Sequence, residues 1–163
     1  MQNKKLLFIV LGVIATILII GGAFAYIYFT RSASQKTPII QSLTKEVVVG
    51  GKTLTVEVAD SRGEQTRGLK NRKSLDENSG MLFVFGQSNV YAFWMKDTLI
   101  PLDMIFISED KKIVNVRENV QPCESDPCDQ IIPESPVKYV IEVNGGWASR
   151  NNVGVGDSVE IPD

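Results

Sequence analysis

The stretch that decides the fold is FWMKDTLIPLD, Phe93 to Asp103, which leads directly into the apolar run Met104 to Ile107. It places two aromatic residues, a methionine, a Lys-Asp-Thr run and a Pro-Leu-Asp step next to apolar bulk. A buried ion is costly unless it is paired and hydrogen-bonded. We therefore expect Lys96, Asp97 and Asp103 either to lie at a surface cleft or to meet opposite charges inside the fold.

The second half of this stretch predicts a central strand that starts at Pro101, because proline is tolerated at the first residue of a strand. Apolar residues occupy both alternating faces of the strand, which is typical of a strand buried on both sides. Asp103 would then enter an apolar environment, with Lys96 and Arg67 as the expected counter-charges. We interpret Arg67, Asp103 and, on a later strand, Glu142 as members of structural ion pairs.

The first half predicts a surface binding site formed by Trp94, Lys96, Asp97 and Thr98. An aromatic ring beside hydrogen-bonding groups suits recognition of a carbohydrate or another polar polymer, since the ring supplies apolar contact and its neighbours fix orientation. The alternative is that Phe93 and Trp94 are core aromatics and that the charges pair internally.

Outward from this stretch, the pattern predicts strands joined by turns and two short helices. Gly50-Gly51 suits the tight turn of a hairpin, and Ser61 with Glu64 forms an S-x-x-E capping box for a helix. The strands are predicted at 46–60 (two arms), 81–85, 90–95, 101–107, 112–117, 137–143 and 158–161, and the helices at 64–73 and 147–152.

The uncharged run Leu6 to Phe29 is long enough to cross a bilayer and predicts a transmembrane helix. Lys4 and Lys5 lie close to its start, which favours an amino terminus inside and a single-pass membrane protein. We therefore expect a cytoplasmic stub at 1–5, an anchor at 6–29, a linker at 30–44 and an extracytoplasmic domain at 45–163. The alternative is secretion after signal cleavage at Ala23-Phe24-Ala25, although this apolar run is longer than usual for a signal peptide.

Composition excludes several classes of function. Once Lys4 and Lys5 are removed from the 17 Lys and Arg residues, 15 remain against 19 Asp and Glu, and this net charge of −4 argues against a nucleic-acid partner. The chain contains no histidine, which excludes Ser-His-Asp and Cys-His catalysis and the common histidine-containing zinc sites. We predict no metal and no cofactor.

The two cysteines, Cys123 and Cys128, lie in a proline-rich loop at 118–136. In an extracytoplasmic domain this spacing favours a local disulfide over a metal pair, which would need further ligands. The expected role of the disulfide is to stiffen a loop that has no secondary structure. A redox-active dithiol is the weaker reading, because the spacing is not C-x-x-C.

A succession of motifs resembles the domain-of-unknown-function family number 192, across about residues 45–162. The motifs are Thr66-Arg67-Gly68-Leu69, Gly80 to Phe85, Phe93 to Asp103, Pro127-Cys128, Tyr139 to Val143 and Val155-Gly156-Asp157. The resemblance implies a compact, β-rich α+β domain, often carried behind a signal sequence or a membrane anchor. We expect this domain to have a barrel-like or strongly curved mixed sheet and one or two short helices. The resemblance implies no established activity. The chain departs from the family pattern at Lys70, where Met is common, and at Asp97, where Asn is common.

Three functions follow as hypotheses. The preferred one is a cell-envelope binding or accessory module, with an envelope polysaccharide or protein as its partner. The second is a carboxylate-based hydrolase of an envelope polymer, in which Asp103 pairs with Glu142 or Asp97 as acid and base; it requires both carboxylates to face one cleft. The third is a purely structural or protein-interaction module that uses the acidic loop near Cys123.

Overall fold

The computed structural model describes residues 44–162. The predicted anchor at 6–29 and its flanking segments at 1–5 and 30–43 lie outside the described residues. Within residues 44–162, no helix is long and apolar enough to cross a membrane. The elements in this range are β1 (Thr44–Val49), β2 (Lys52–Ala59), α1 (Arg62–Arg67), β3 (Ser79–Asn89), β4 (Leu102–Ile107), β5 (Ile113–Val120), β6 (Val137–Asn144), α2 (Trp147–Asn151) and β7 (Val159–Glu160).

The strands form one mixed sheet in the order β5-β4-β6-β3-β2-β1-β7. Only the β2–β3 pair within this sheet is parallel, and α1 lies in the connection between those two strands. The two edges of the sheet meet, because Lys112 bridges Ser158 and the Val159 N–H donates to the Lys111 carbonyl at 2.9 Å. The predicted compact, β-rich α+β domain with two short helices is thus confirmed, and its sheet is a curved half-barrel.

Each face of the sheet carries its own apolar core. The first core contains Leu54, Ile105, Ile141 and the fully buried Trp147 of α2. The second core contains Met81, Phe83, Met104 and Phe106, and segment 91–100 and the loop at 121–136 pack against it. All six residues of β4 are buried, so the prediction of a strand buried on both faces is confirmed.

The predicted turn and the predicted helix cap are confirmed, whereas one predicted strand is absent. Gly50 and Gly51 both have positive φ in the β1–β2 turn, and Ser61 and Glu64 form the predicted capping box. Helix α1 ends early at Arg67, because Gly68 turns the chain with φ 49°. The predicted strand at 90–95 is absent from the sheet, because β3 is already paired with β2 and β6; Phe93 makes only an isolated bridge to Ile131.

Candidate functional site

Asp103 is a structural acceptor rather than an ion-pair partner. Its side chain is fully buried, and the carboxylate accepts hydrogen bonds from the backbone N–H groups of Asn119 (2.7 Å), Gly146 (2.7 Å) and Ala148 (2.8 Å). Gly146 precedes α2 and supplies no side-chain cap, so Asp103 caps that helix from β4. Among residues 44–162, Asp103 has no salt bridge. The predicted pairing with Lys96 or Arg67 is therefore wrong, because three N–H groups already stabilise the charge.

Glu142 is the buried acid on the other face of the sheet. It lies opposite Met81 of β3 and Met104 of β4, so its side chain shares their apolar face. The residue is 5% exposed, and its carboxyl group has no salt bridge or side-chain hydrogen bond within the described part of the chain. Burial raises the pKa of Glu142 to about 8. The predicted ion pair is thus replaced by a carboxylic acid that is protonated at neutral pH.

The sheet separates the two buried acids. Asp103 lies opposite Val143, and Glu142 lies opposite Met104, so consecutive positions of the pleat send the two side chains to opposite faces. Asp97, the other proposed partner, has a half-exposed side chain and pairs with Lys70 at 3.7 Å. The predicted Asp103–Glu142 acid/base pair is therefore wrong, because the two groups cannot face one cleft.

Glu142 lines a cavity of about 330 Å³, which we call the Glu142 cavity. Helix α1 and the turn after it form one side of this cavity. Strand β3 and residues 91–98 form the other side, together with Glu142 itself. Gln65 holds α1 in this place, because its side-chain amide donates to the Val84 carbonyl at 2.8 Å. The cavity therefore joins the outer layer of the domain to the second core.

Four cationic side chains line the cavity and form what we call the basic rim: Arg62, Arg67, Lys70 and Lys96. Lys96 donates to Asp126 at 2.6 Å, and this hydrogen bond raises the pKa of Lys96. Lys70 pairs with Asp97, as noted above. The two arginines have no salt bridge within residues 44–162. The rim thus contains two paired lysines and two arginines that remain available to a ligand.

Aromatic side chains form the wall of the cavity. Phe93 meets Phe83 (5.3 Å), Phe85 (6.2 Å) and Phe106 (5.8 Å) in edge-to-face geometry, with distances between ring centroids. Phe93 is partly buried and packs against the second core, which is closer to the alternative interpretation of this residue. Trp94 is 49% exposed, and the Lys70 ammonium lies 5.8 Å from its ring centroid. Its ring is therefore half-exposed where it lines the cavity.

The structure brings three of the four predicted binding residues into the cavity lining. Trp94, Lys96 and Thr98 line it, and Thr98 is 6% exposed. Asp97 lies outside the lining and adopts φ 61°, while its carbonyl accepts from the Asn71 N–H at 2.7 Å. Positive φ is a conformation that aspartate and asparagine tolerate better than most residues. Lys70 and Asp97, the two positions where we expect the chain to depart from the family pattern, pair with each other.

The disulfide loop supports the segment that forms the cavity wall. Cys123 and Cys128 are bonded, as predicted. The Cys123 N–H donates to the Met95 carbonyl at 3.3 Å, and Phe93 and Ile131 exchange two backbone hydrogen bonds of 2.9 Å. Together with the contact between Lys96 and Asp126, these bonds fix the loop to residues 93–96. The loop therefore stiffens the site as well as itself.

Sequence reasoning missed that Arg62, Arg67 and Glu142 share one cavity. A signal for Glu142 existed: it is a charged residue between Ile141 and Val143, in the apolar part of a strand whose other charged residue, Lys138, lies near its start. No local signal connects it to α1, because the contact arises from the path of the chain over the sheet. The described residues contain no group of three or more His, Cys, Asp or Glu side chains placed to hold a metal ion.

Fold and site together define a small half-barrel domain with a basic-rimmed cavity on one face of its sheet. The chain belongs to the DUF192 family (uncharacterized ACR), whose sequence profile matches residues 45–161. No curated protein matches the chain.

Solved structures similar to this chain include two crystal structures. A protein of unknown function from Novosphingobium aromaticivorans DSM 12444 is 32% identical, with 76% of this chain and 89% of that chain covered and a TM-score of 0.71. A protein from Sinorhizobium meliloti 1021, described as a candidate transcription regulator, is 36% identical, with 74% and 95% covered and a TM-score of 0.67. The fold is therefore shared with solved relatives that cover most of the described residues.

Proposed function

We propose that this chain is a membrane-anchored ligand-binding module of the cell envelope, and that the Glu142 cavity binds one sugar-sized unit of an envelope polymer. The observation that carries the proposal is the unpartnered carboxyl group of Glu142, 5% exposed and facing a cavity. The anchor at 6–29 and the extracytoplasmic position of the domain belong to the same proposal and rest on the sequence.

An acid at this position suits the fold less well than an apolar side chain would, because its carboxyl group loses most of its hydration and keeps only its contact with the cavity. The cross-strand neighbours, Met81 and Met104, are apolar, so a third apolar side chain would suit the same surroundings. A ligand that hydrogen-bonds to the acid would offset this cost, which favours a binding role over a purely structural one.

The remaining lining suits a ring-shaped polar ligand. Its volume of about 330 Å³ is at the lower end of the roughly 300–1,000 Å³ typical of ligand pockets, so it fits a single small unit. The exposed ring of Trp94 can stack on the apolar face of a sugar. Thr98 and the basic rim supply polar contacts around it.

Trp94 also provides the assay, because it is one of only two tryptophans in the chain and the other, Trp147, is fully buried. The full chain in mild detergent is titrated with oligosaccharides prepared from cell-envelope polymers, and tryptophan emission is followed. A saturable change that disappears in Trp94→Phe supports binding at the cavity. Glu142→Met should abolish this change while the protein stays folded, and Glu118→Met, on the exposed part of β5, serves as its control.

The proposal fails if no envelope oligosaccharide changes Trp94 emission, or if Glu142→Met binds as well as the original chain. The location is tested separately. A tag after residue 163 should be digested by protease added to intact cells or spheroplasts, and alkaline carbonate should leave the chain in the membrane fraction. A tag protected from the protease, or a chain released by carbonate, would contradict the anchored orientation.

A further inference from the structure

We infer that the ligand of the Glu142 cavity is anionic: a sugar or polyol unit whose carboxylate or phosphate group binds Arg62 and Arg67. This inference rests on the proposed function and names the chemical class of its ligand. Four of the side chains that line the cavity are cationic, although the whole chain has a net charge of −2. The positive charge is therefore concentrated at this cavity against the overall balance of the protein.

The two lysines of the basic rim are already engaged. Lys96 is hydrogen-bonded to Asp126 at 2.6 Å, and Lys70 pairs with Asp97 at 3.7 Å. Neither aspartate lines the cavity, so both neutralise the rim from outside it. The anion site consequently depends on the two arginines.

The acid on the same helix, Glu64, forms no salt bridge with either arginine, since its carboxylate takes part in the capping box. Glu64 accepts from the Ser61 hydroxyl at 2.6 Å and from the Ser61 N–H at 3.1 Å in the capping box. The hydrogen bond from the Ser61 side chain is the main reason that the pKa of Glu64 is lowered, and the charge of Arg67 makes a smaller contribution. A guanidinium group offers a planar fork of donors that matches the oxygens of a carboxylate or a phosphate.

The acid inside the cavity does not oppose an anion. Glu142 lacks a neighbouring carboxylate in the lining and lies in apolar surroundings, which favour its uncharged form. An uncharged carboxyl can donate a hydrogen bond to a hydroxyl or carboxylate oxygen of the ligand. The cavity thus combines a neutral polar group inside with cationic groups at its rim, and this arrangement suits a unit that carries hydroxyls at one end and an anion at the other.

The test compares probes that differ in charge. The full chain is titrated at pH 6.5 with tetragalacturonate, with the neutral galactotetraose and with a tetramer of glycerol phosphate, and Trp94 emission is followed. We expect at least one anionic probe to bind about tenfold more tightly than galactotetraose, which corresponds to one charge-assisted hydrogen bond. Preference for the galacturonate indicates a uronic-acid unit, and preference for the glycerol phosphate indicates a polyol phosphate.

Variants then assign the anion to its residues. Arg62→Gln and Arg67→Gln should each weaken the anionic probe about tenfold and the neutral probe less than twofold. The charge-matched control is Lys52→Gln, since Lys52 lies at the opposite end of β2 from α1 and should leave both affinities unchanged. Circular dichroism and the melting temperature verify that each variant is folded.

The possible results distinguish failure of this inference from failure of the proposed function. Equal affinity for neutral and anionic tetrasaccharides, unaffected by either arginine change, would overturn the inference and leave the binding module standing. Loss of affinity for the neutral probe as well would show that the arginines hold the cavity open rather than bind an anion, which also overturns it. No response to any probe or envelope oligosaccharide would overturn both the inference and the proposed function.

Discussion

Replacement of Glu142 by glutamine should stabilise the protein at neutral pH, and the gain should grow with pH. The acid is 5% exposed, and burial raises its pKa from an ordinary 4.5 to about 8. Glutamine keeps the shape and hydrogen-bonding capacity of the protonated acid but cannot ionise. Comparison of the two proteins therefore isolates the effect of ionising Glu142 on the free energy of unfolding.

The sign follows from linkage. Between pH 4.5 and pH 8, the folded protein holds a proton on Glu142 that the unfolded chain has released. Stability must therefore fall as the pH rises through this window, by about 1.4 kcal/mol per pH unit, and level off above it. The Glu142→Gln variant does not lose stability in this way. Its free energy of unfolding should therefore exceed that of the original chain by about 3 kcal/mol at pH 7 and by nearly nothing at pH 4.5.

Urea unfolding of the full chain in mild detergent, followed by Trp147 emission, measures the difference at each pH from 5 to 9. The chain contains no histidine, which is the side chain whose ordinary pKa lies in the middle of this range. Glu118→Gln, an exposed change on β5, is the matched control and should follow the original profile. Parallel pH profiles for Glu142→Gln and the original chain would refute the reasoning, because Glu142 would then be ionised or paired in the folded protein.

Further predictions follow from the other contacts. Asp103→Ala should lower the melting temperature by 10 °C or more, at about 4 °C per kcal/mol, because three backbone N–H groups lose their acceptor; a shift below 3 °C, measured by scanning calorimetry, would contradict its capping role. Replacement of Cys123 and Cys128 by serine should weaken ligand binding more than it lowers the melting temperature, since their loop supports residues 93–96; unchanged affinity would show that the wall is rigid without the disulfide. A double-mutant cycle of Lys70→Met and Asp97→Asn should give a coupling of about 0.5 kcal/mol or less at this partly exposed pair; a value above 2 kcal/mol would contradict the expectation.

Features that depend on neighbouring residues were predictable from the sequence. The Gly50-Gly51 turn requires positive φ at consecutive residues, and glycine is the residue that adopts it readily. The capping box of Ser61 and Glu64 spans three residues, and the disulfide spans five. Each is determined within a short segment, so composition and spacing are sufficient to identify it.

Features that depend on the path of the chain could not be predicted from the sequence. Asp103 was correctly placed in a buried strand, but its partners are backbone N–H groups near Asn119 and Gly146, and a backbone group leaves no trace in the sequence. Glu142 was recognised as a charged residue on a strand, yet its burial depends on the apolar strands at either side and on the segment above it. The predicted strand at 90–95 had suitable residues but no free edge to join.

The pairing of β1 with β7 sets the order in which the domain can be completed. Val48 and Val49 near its beginning bond to Glu160 and Val159 near its end. A contact between such distant parts of a chain forms late, because the long intervening loop must close first. The sheet therefore cannot close until the final residues have emerged from the ribosome or from a translocation channel. A nascent chain that lacks them would present β1 with one edge unpaired, and such an edge is a site for association with other strands.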